Sequence, residues 1–208
     1  MAPTSTGPLL RDPLGKITEP VIVELKDGST GTIYPIYSVD DVPESLLRFM
    51  HKEMNDEIER GNTYPIYDIF SQKDFADYWF FSFVAIMIKG ENPGLQEDTN
   101  WESEFLGTYY VKPNYPGRCS HICNAGFVVN PRIRGQSIGT TLGKNYLNWA
   151  PILGYTYSVF NLVFETNVAS SKIWDNLGFE RIGYVKKAAV LKGYDEPIGV
   201  IIYGKDLV

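Results

Sequence analysis

Two alternating apolar stretches open the patterned part of the chain. VIVEL (21–25) and TGTIYPIY (30–37) flank the turn Lys26-Asp27-Gly28-Ser29, the signature of a hairpin. Over 39–60 the period changes. Leu46, Leu47, Met50, Met54 and Ile58 recur every three or four residues, which puts them on one helical face, and Gly61 supplies a stop. An aromatic loop (62–70) and a short helix over 72–77 are expected next. The run 80–88 is almost wholly apolar and reads as a buried strand. Polar residues make 90–102 a loop insertion, and 106–111 a further strand. Beyond His121 strands and helices alternate. Strands are predicted over 123–129, 157–166, 179–185 and 198–203, with a long helix over 134–153 and a short one over 168–177 ended by Gly178. The result is a mixed α/β sheet with helices between strands. Residues 1–19 carry three prolines and no hydrophobic period, so they read as a flexible arm, and 20–208 as a single domain.

Composition narrows the partners. The net charge of −6 opposes a nucleic-acid binder, which needs a basic face to displace counterions, and gives no support to a polybasic membrane contact. The most apolar run, 78–88, is far short of the roughly 20 residues that a membrane span needs. Two cysteines cannot build a disulfide framework, which fits a reducing compartment. The N-terminus has no apolar core for a secretory signal. A cytoplasmic location is the expectation, with the sparse Arg and Lys of the arm a weak basis for a mitochondrial one. Neither a nucleic-acid nor a membrane partner is therefore expected, and the aromatic content is compatible with a homodimer.

The chemistry concentrates in Phe127-Val-Val-Asn-Pro-Arg-Ile-Arg-Gly-Gln-Ser-Ile-Gly-Thr-Thr-Leu142, where a strand runs through a tight turn into a helix. The unpaired backbone N–H groups of such a helix start, aided by the helix dipole, hold an anion, typically a pyrophosphate. Val128 and Val129 end the strand. Arg134, Gly135, Gln136, Ser137, Ile138, Gly139 and Thr140 form the turn and first helical residues. The glycines let backbone approach ligand, and Arg134 adds charge. No Gly-Lys-Ser/Thr follows, so this is not a nucleotide P-loop, and the third glycine of a dinucleotide fingerprint is missing.

The segment does resemble the Arg-x-x-Gly-x-Gly/Ala motif of the GNAT acetyltransferase superfamily, which binds the pyrophosphate of acetyl-CoA. Ser137 stands where that motif has glycine. About 30 residues on, Asn167, Ser170/Ser171, Trp174 and Leu177-Gly178-Phe179 form a second pattern of the same superfamily, with the Asn, Ser and Trp on one helix face. The resemblance implies a mostly antiparallel mixed sheet with splayed central strands and flanking helices. It implies acetyl-CoA as co-substrate, no metal, and Asn167, Ser171 and Trp174 beside the pantetheine arm. Further segments, TYP (63–65), KPNYPGRCSHICNAGF (112–127), YLNWAPILGY (146–155), YSVFNLVFETN (157–167) and IIYGKDL (201–207), are similar to the fungal L-azetidine-2-carboxylate N-acetyltransferases. That similarity implies acetylation of the imino or amino nitrogen of a small proline-like amino acid, protecting against toxic analogues or oxidative stress. A peptide-amine or polyamine acetyltransferase and a non-catalytic acyl-CoA sensor are the alternatives. Residues 1–60 match poorly.

Asn124 and Asn161 interrupt otherwise apolar strands, and polar groups there need a purpose. Both are expected to bind the acceptor, whose carboxylate and N–H an amide can serve. With a period of two, Asn161, Val163, Glu165 and Asn167 should point the same way. The first splayed strand has no carboxylate, and Trp174 occupies the place of the superfamily's usual acidic tyrosine. Asn167 is therefore the expected catalytic residue, orienting the acceptor or a water, with Glu165 the runner-up base. A backbone N–H of Phe127 or Val128 would face the oxyanion. Cys119, His121 and Cys123 look like a zinc half-site but suit one tetrahedral ion poorly, and His121 is a weak candidate base. The loop Tyr64-Pro-Ile-Tyr67 and the acidic group Asp56, Glu57 and Glu59 read as packing and a solvated face.

Overall fold

The computed structural model describes residues 14–133 and 136–208, so the arm up to residue 13 lies outside the described residues, as do Arg134 and Gly135. In chain order the elements are β1 (Val21–Glu24), β2 (Thr30–Ile36), α1 (Glu44–Arg60), α2 (Gln72–Trp79), β3 (Phe83–Lys89), α3 (Trp101–Glu104) and β4 (Phe105–Pro113). Then come β5 (Ile122–Val129), α4 (Ile138–Ile152), β6 (Tyr157–Phe164), α5 (Val168–Asn176), β7 (Glu180–Ala189) and β8 (Ile198–Asp206). The strands form one sheet in the order β1-β2-β3-β4-β5-β6-β8-β7. Every pairing is antiparallel except β5 with β6. Among the described residues no helix is long and apolar enough to cross a membrane.

Local chemistry sets the helix ends. The periodic stretch from residue 39 does not become helical at once, because Pro43 disfavours the α region for Val42, which sits at φ −119°. Val39–Asp41 is only a 3₁₀ turn, closed by a Ser38–Asp41 capping box, and α1 starts at Glu44. It ends where predicted, at Gly61, with φ 66°.

Side chains alternate across the sheet, so each strand feeds two cores. Ile33, Ala85, Met87, Tyr109, Val111 and Cys123 pack under α4. Ile36, Val84, Ile86, Tyr110 and Val128 pack under α1 and α2. Burial on both faces explains the unbroken apolar run of β3. One expectation is corrected at the N-terminal end. Residues 14–19, read as part of a loose arm, are docked. Leu14 N donates to Leu153 O at 3.0 Å, Ile17 is buried, and Ile17 N donates to the Tyr37 hydroxyl at 2.6 Å.

Two irregularities create the site. Strands β5 and β6 pair only at Ile122↔Tyr157 and Cys123↔Ser158, then part. On the far side of β6 the register steps from Phe160↔Tyr203 to Val163↔Ile201, a bulge with one extra residue on β6.

Candidate active site

The gap between β5 and β6 opens into a cleft of about 570 Å³. Hydrogen bonds from Asn114 N to Ile122 O and from Asn130 N to Leu106 O fix the phase of the β4–β5 ladder. By the alternation of an antiparallel pair, the even residues of β5 bond to β4, and Ala125, Phe127 and Val129 turn their N–H and C=O groups toward the gap. Of the two candidate oxyanion donors, Phe127 N–H therefore faces the cleft, whereas Val128 N–H is spent on Thr108. The Phe127 carbonyl accepts a hydrogen bond from the Tyr64 hydroxyl at 3.0 Å, so Tyr64 lines the cleft and does more than pack. Burial pushes the Tyr64 phenol well above its ordinary pKa, leaving it a neutral donor. Tyr67, three residues on, points to solvent.

The cleft floor is aromatic. Trp174 lies 4.5 Å from Phe160 and 5.0 Å from Phe127, ring centroid to centroid, and its Nε1 donates to Ser170 Oγ at 2.9 Å. A buried ring with its one N–H already satisfied shapes the floor rather than donating a proton.

On the α1–α2 side the cleft is polar. Tyr110, Lys112 and Asn114 follow one another along one face of β4, and Lys112 stands directly opposite Asn124 of β5. The amides are joined. Asn124 Nδ2 donates to Asn114 Oδ1 at 3.0 Å, and Asn161 Nδ2 to the same oxygen at 2.5 Å. Asn114 Nδ2 returns a bond to Asn161 Oδ1 at 3.2 Å. The sequence reading brought Asn124 and Asn161 to the site but missed Asn114, which bridges them. Its only signal was a polar residue closing the strand before Tyr115-Pro116-Gly117. Glycine at 126 is required sterically, because a Cβ there would lie 2.5 Å from the Tyr110 ring. The Tyr110 hydroxyl meets that of Tyr78 at 3.2 Å. The Lys112 Nζ sits 4.8 Å from both ring centroids, and burial lowers its pKa from the ordinary value.

The bulge in β6 overturns the expected period. Asn161 and Asn167 line the cleft, but Glu165 does not. Its Oε1 accepts from Gly199 N at 2.7 Å and its Oε2 from the Tyr184 hydroxyl at 2.8 Å. These two bonds hold the carboxyl below its ordinary pKa, the opposite of what a base poised near neutrality needs. Glu165 lines a separate groove beside β7, together with Ser171. Ser171 was expected at the pantetheine arm. One residue is about 100° of helical turn, and it is Ser170 that faces the cleft. We expect Glu165→Gln to keep turnover within about twofold of wild type. General-base help is typically worth about 10²–10⁴ in rate, so a hundredfold fall in kcat would restore Glu165 as the base.

Asn167 is the N-cap of α5. Its Oδ1 accepts from Ser170 N at 3.1 Å, and among the described residues no acceptor meets its Nδ2. One end of the amide thus fixes the helix start, and the other remains a donor at the cleft.

The turn expected to bind an anion leads into the start of α4. The first-turn N–H groups of Ile138, Gly139 and Thr140 have no intrahelical partners, and Gly139 and Val129 line the cleft. Ser137 has φ 58°, a left-handed conformation in which glycine is unstrained, which accounts for the glycine that the resembling motif carries there. Gly139 and Gly143 have a packing duty as well. A Cβ on Gly139 would lie 2.9 Å from Ile173 Cδ1, and one on Gly143 2.6 Å from Leu177 Cδ1, so both let α5 approach α4. Gln136 reaches away from the cleft, its Nε2 donating to Asp27 Oδ2 of the β1–β2 turn at 3.0 Å. The loop is anchored by residues the sequence did not flag. Asn130 Nδ2 donates to the Phe105 and Glu102 carbonyls, its Oδ1 accepts from Arg132 N, and Arg132 Nη1 bonds buried Glu53 at 2.7 Å.

Among the described residues no cluster of three or more His, Cys, Asp and Glu could hold a metal. Cys119 is exposed in a 3₁₀ turn, and Cys123 is buried with its Sγ 3.0 Å from the Tyr146 hydroxyl. Burial pushes that thiol's pKa up to about 12. His121 is exposed and lies outside the cleft lining.

Comparison with known proteins places this geometry. The model of the Acetyltransferase (GNAT) family matches residues 52–179. N-acetyltransferase aca1 of Schizosaccharomyces pombe is 44% identical over 167 residues, covering 77% of this chain and 79% of that protein. Protein SPT10 of Saccharomyces cerevisiae is 36% identical over 228 residues, covering 90% of this chain, but the chain spans only 36% of that relative's length. Among solved structures, a GCN5-related N-acetyltransferase from Kribbella flavida superposes with a TM-score of 0.69 at 23% identity, covering 84% of this chain and 97% of that one. The yncA protein of Salmonella typhimurium, a putative acetyltransferase solved with its cofactor acetyl-CoA, has a TM-score of 0.66 at 12% identity, over 85% and 94% of the two chains.

Proposed function

Because the chain belongs to the acetyltransferase (GNAT) family, whose acyl donor is acetyl-CoA, we propose that it acetylates the nitrogen of a small amino or imino acid of proline-like size. The observation that carries this reading is the amide cluster Asn114–Asn124–Asn161, set in an aromatic cleft where β5 and β6 part.

The described residues fit acetyl-CoA. The open N–H groups of the first turn of α4 suit its pyrophosphate. The edge of β5 left free where β6 parts from it, at Ala125 and Val129, suits the amides of its pantetheine arm. When bound, acetyl-CoA supplies an acetyl thioester: the acceptor nitrogen bonds the carbonyl carbon, the C–S bond breaks, and the proton lost by nitrogen leaves with the thiol.

The chain's own residues act on the acceptor. An alkylamine has a pKa of roughly 10, so the nitrogen arrives mostly protonated at neutral pH. No carboxylate on β5 faces the gap, and burial raises the phenols of Tyr64 and Tyr110, which stay protonated. Glu57, the one carboxylate lining the cleft among the described residues, is held by Arg60 and the Thr63 hydroxyl, so the ammonium proton is lost to solvent before the neutral nitrogen attacks. The work left to the protein is orientation and exclusion of water. Asn124 Oδ1 is open to an acceptor N–H, Asn167 Nδ2 is an unspent donor, and the Phe127 N–H is aimed at developing negative charge in a site with an apolar floor.

The test is an acceptor screen with acetyl-CoA and thiol detection. L-azetidine-2-carboxylate and L-proline analogues should be turned over with specificity constants well above those for polyamines or peptide N-termini. Preference for a polyamine or a peptide would replace the acceptor class. Acetyl-CoA binding without turnover of any acceptor would make the chain an acyl-CoA sensor.

A further inference from the structure

Lys112 is the cleft residue whose presence the reading above does not explain. It is half-buried, and its ammonium rests against the rings of Tyr78 and Tyr110, 4.8 Å from each centroid. It joins none of the described ion pairs, and burial is the sole cause that moves its pKa. Glu57, the one acid among the described residues lining the cleft, is already engaged by Arg60 and by the Thr63 hydroxyl. Withdrawing an ammonium from water without a counter-ion is costly. Contact with two ring faces recovers part of that cost and leaves a desolvated positive charge open to the cleft.

We propose that Lys112 is the carboxylate anchor of the acceptor subsite, so that it selects anionic acceptors, α-amino and α-imino acids, over amines without a carboxylate. This deepens the function proposed above and rests on it. Directly opposed side chains of an antiparallel pair have Cβ atoms about 5 Å apart. Lys112 and Asn124 are such a pair. An acceptor whose nitrogen and carboxylate share one carbon can therefore place its carboxylate at Lys112 while its N–H reaches Asn124 Oδ1. The rest of that subsite consists of amides and phenols, so Lys112 is the one cation among the described residues lining the cleft.

The experiment compares L-azetidine-2-carboxylate with its uncharged carboxamide as acceptors for wild type, Lys112→Met and Lys112→Arg. Methionine keeps an apolar stem against Tyr78 and Tyr110 and removes the charge. Acetyl-CoA affinity and melting temperature report the integrity of each variant. Wild type should prefer the carboxylate. In Lys112→Met the kcat/KM for the carboxylate should fall by about 10–150-fold, the range of a charge-assisted hydrogen bond. The carboxamide should change by less than about threefold, and Lys112→Arg should keep part of the preference. Equal losses on both acceptors would mean that Lys112 only props the rings or handles a proton, and would overturn the assignment. So would an unchanged preference in Lys112→Met. The wild-type arm stands even where a variant fails to fold, and an enzyme that uses both acceptors equally well sinks this inference alone. A wild type that uses neither sinks the amino-acid acceptor reading with it.

Discussion

Asn167→Asp is expected to fold like wild type and to lose about two orders of magnitude in kcat. Aspartate is as good an N-cap as asparagine, so the bond from Ser170 N and the start of α5 survive. What disappears is the Nδ2 donor at the cleft. Removing one preorganised donor from a transition state costs about 10²–10³ in kcat in well-studied cases. Asn167→Ala should show a similar kcat loss and, in addition, about 1 kcal/mol of stability from the missing cap. In both variants the KM for acetyl-CoA should move much less than kcat, the mark of an interaction made in the transition state rather than uniformly. The pair of variants separates roles that either alone would confuse. A kcat for Asn167→Asp within about threefold of wild type, with the cap lost only in the alanine variant, would reduce Asn167 to a structural residue. Retained activity with a new ionisation in the pH profile would instead show that a base is wanted there.

Asn114→Ala is expected to lower the acceptor kcat/KM about as much as Asn124→Ala, although in the sequence Asn114 is only a polar residue closing a strand. Its Oδ1 accepts from both Asn124 and Asn161, and its Nδ2 returns a bond to Asn161. Without it, two amides turn freely and present donors where the acceptor needs an acceptor atom. A lost hydrogen bond to a charged group is worth about 1.5–3 kcal/mol, which is a 10–150-fold fall. Acetyl-CoA affinity should be unaffected, since the cluster lies on the α1–α2 side and the helix start of α4 on the other. In the Asn114→Ala, Asn124→Ala double variant the losses should be far from additive, as for any network acting as a unit. Wild-type kcat/KM in Asn114→Ala beside a large fall in Asn124→Ala would show that Asn124 acts alone.

Glu165 lies outside the cleft because β6 is not a regular strand. A strict period of two put Asn161, Val163, Glu165 and Asn167 on one side, and β6 breaks that period. Its bulge brings Phe160 and Val163 into the same core and sends Glu165 to Gly199 and Tyr184. A bulge is fixed by the partner strand's register, which nothing within 157–166 encodes. The Ser170/Ser171 ambiguity has the same origin, because helical phase relative to a cleft is a tertiary quantity. Lys112 was invisible for another reason. A lysine after an apolar strand reads as a solvated end, and only the stacking of α2 over β4 shows that it is half-buried between two tyrosines.

The strand–turn–helix expected to bind an anion was legible from residues 127–142 alone, since a glycine-punctuated turn between an apolar run and an amphipathic period has few other solutions. The second helix before Gly178, the two amides in apolar strands, the burial of β3 and the stop at Gly61 were legible in the same way. These are local properties, set by φ/ψ preference, hydrophobic period and unpaired N–H groups. The tertiary structure alone decided that β5 and β6 part after two residue pairs, that Phe127 rather than Val128 turns its N–H into the gap, and that Asn114 joins Asn124 to Asn161. It alone left Lys112 without a counter-ion among the described residues. Each of these depends on the phase of one element against another, and that phase is set by packing across the whole sheet.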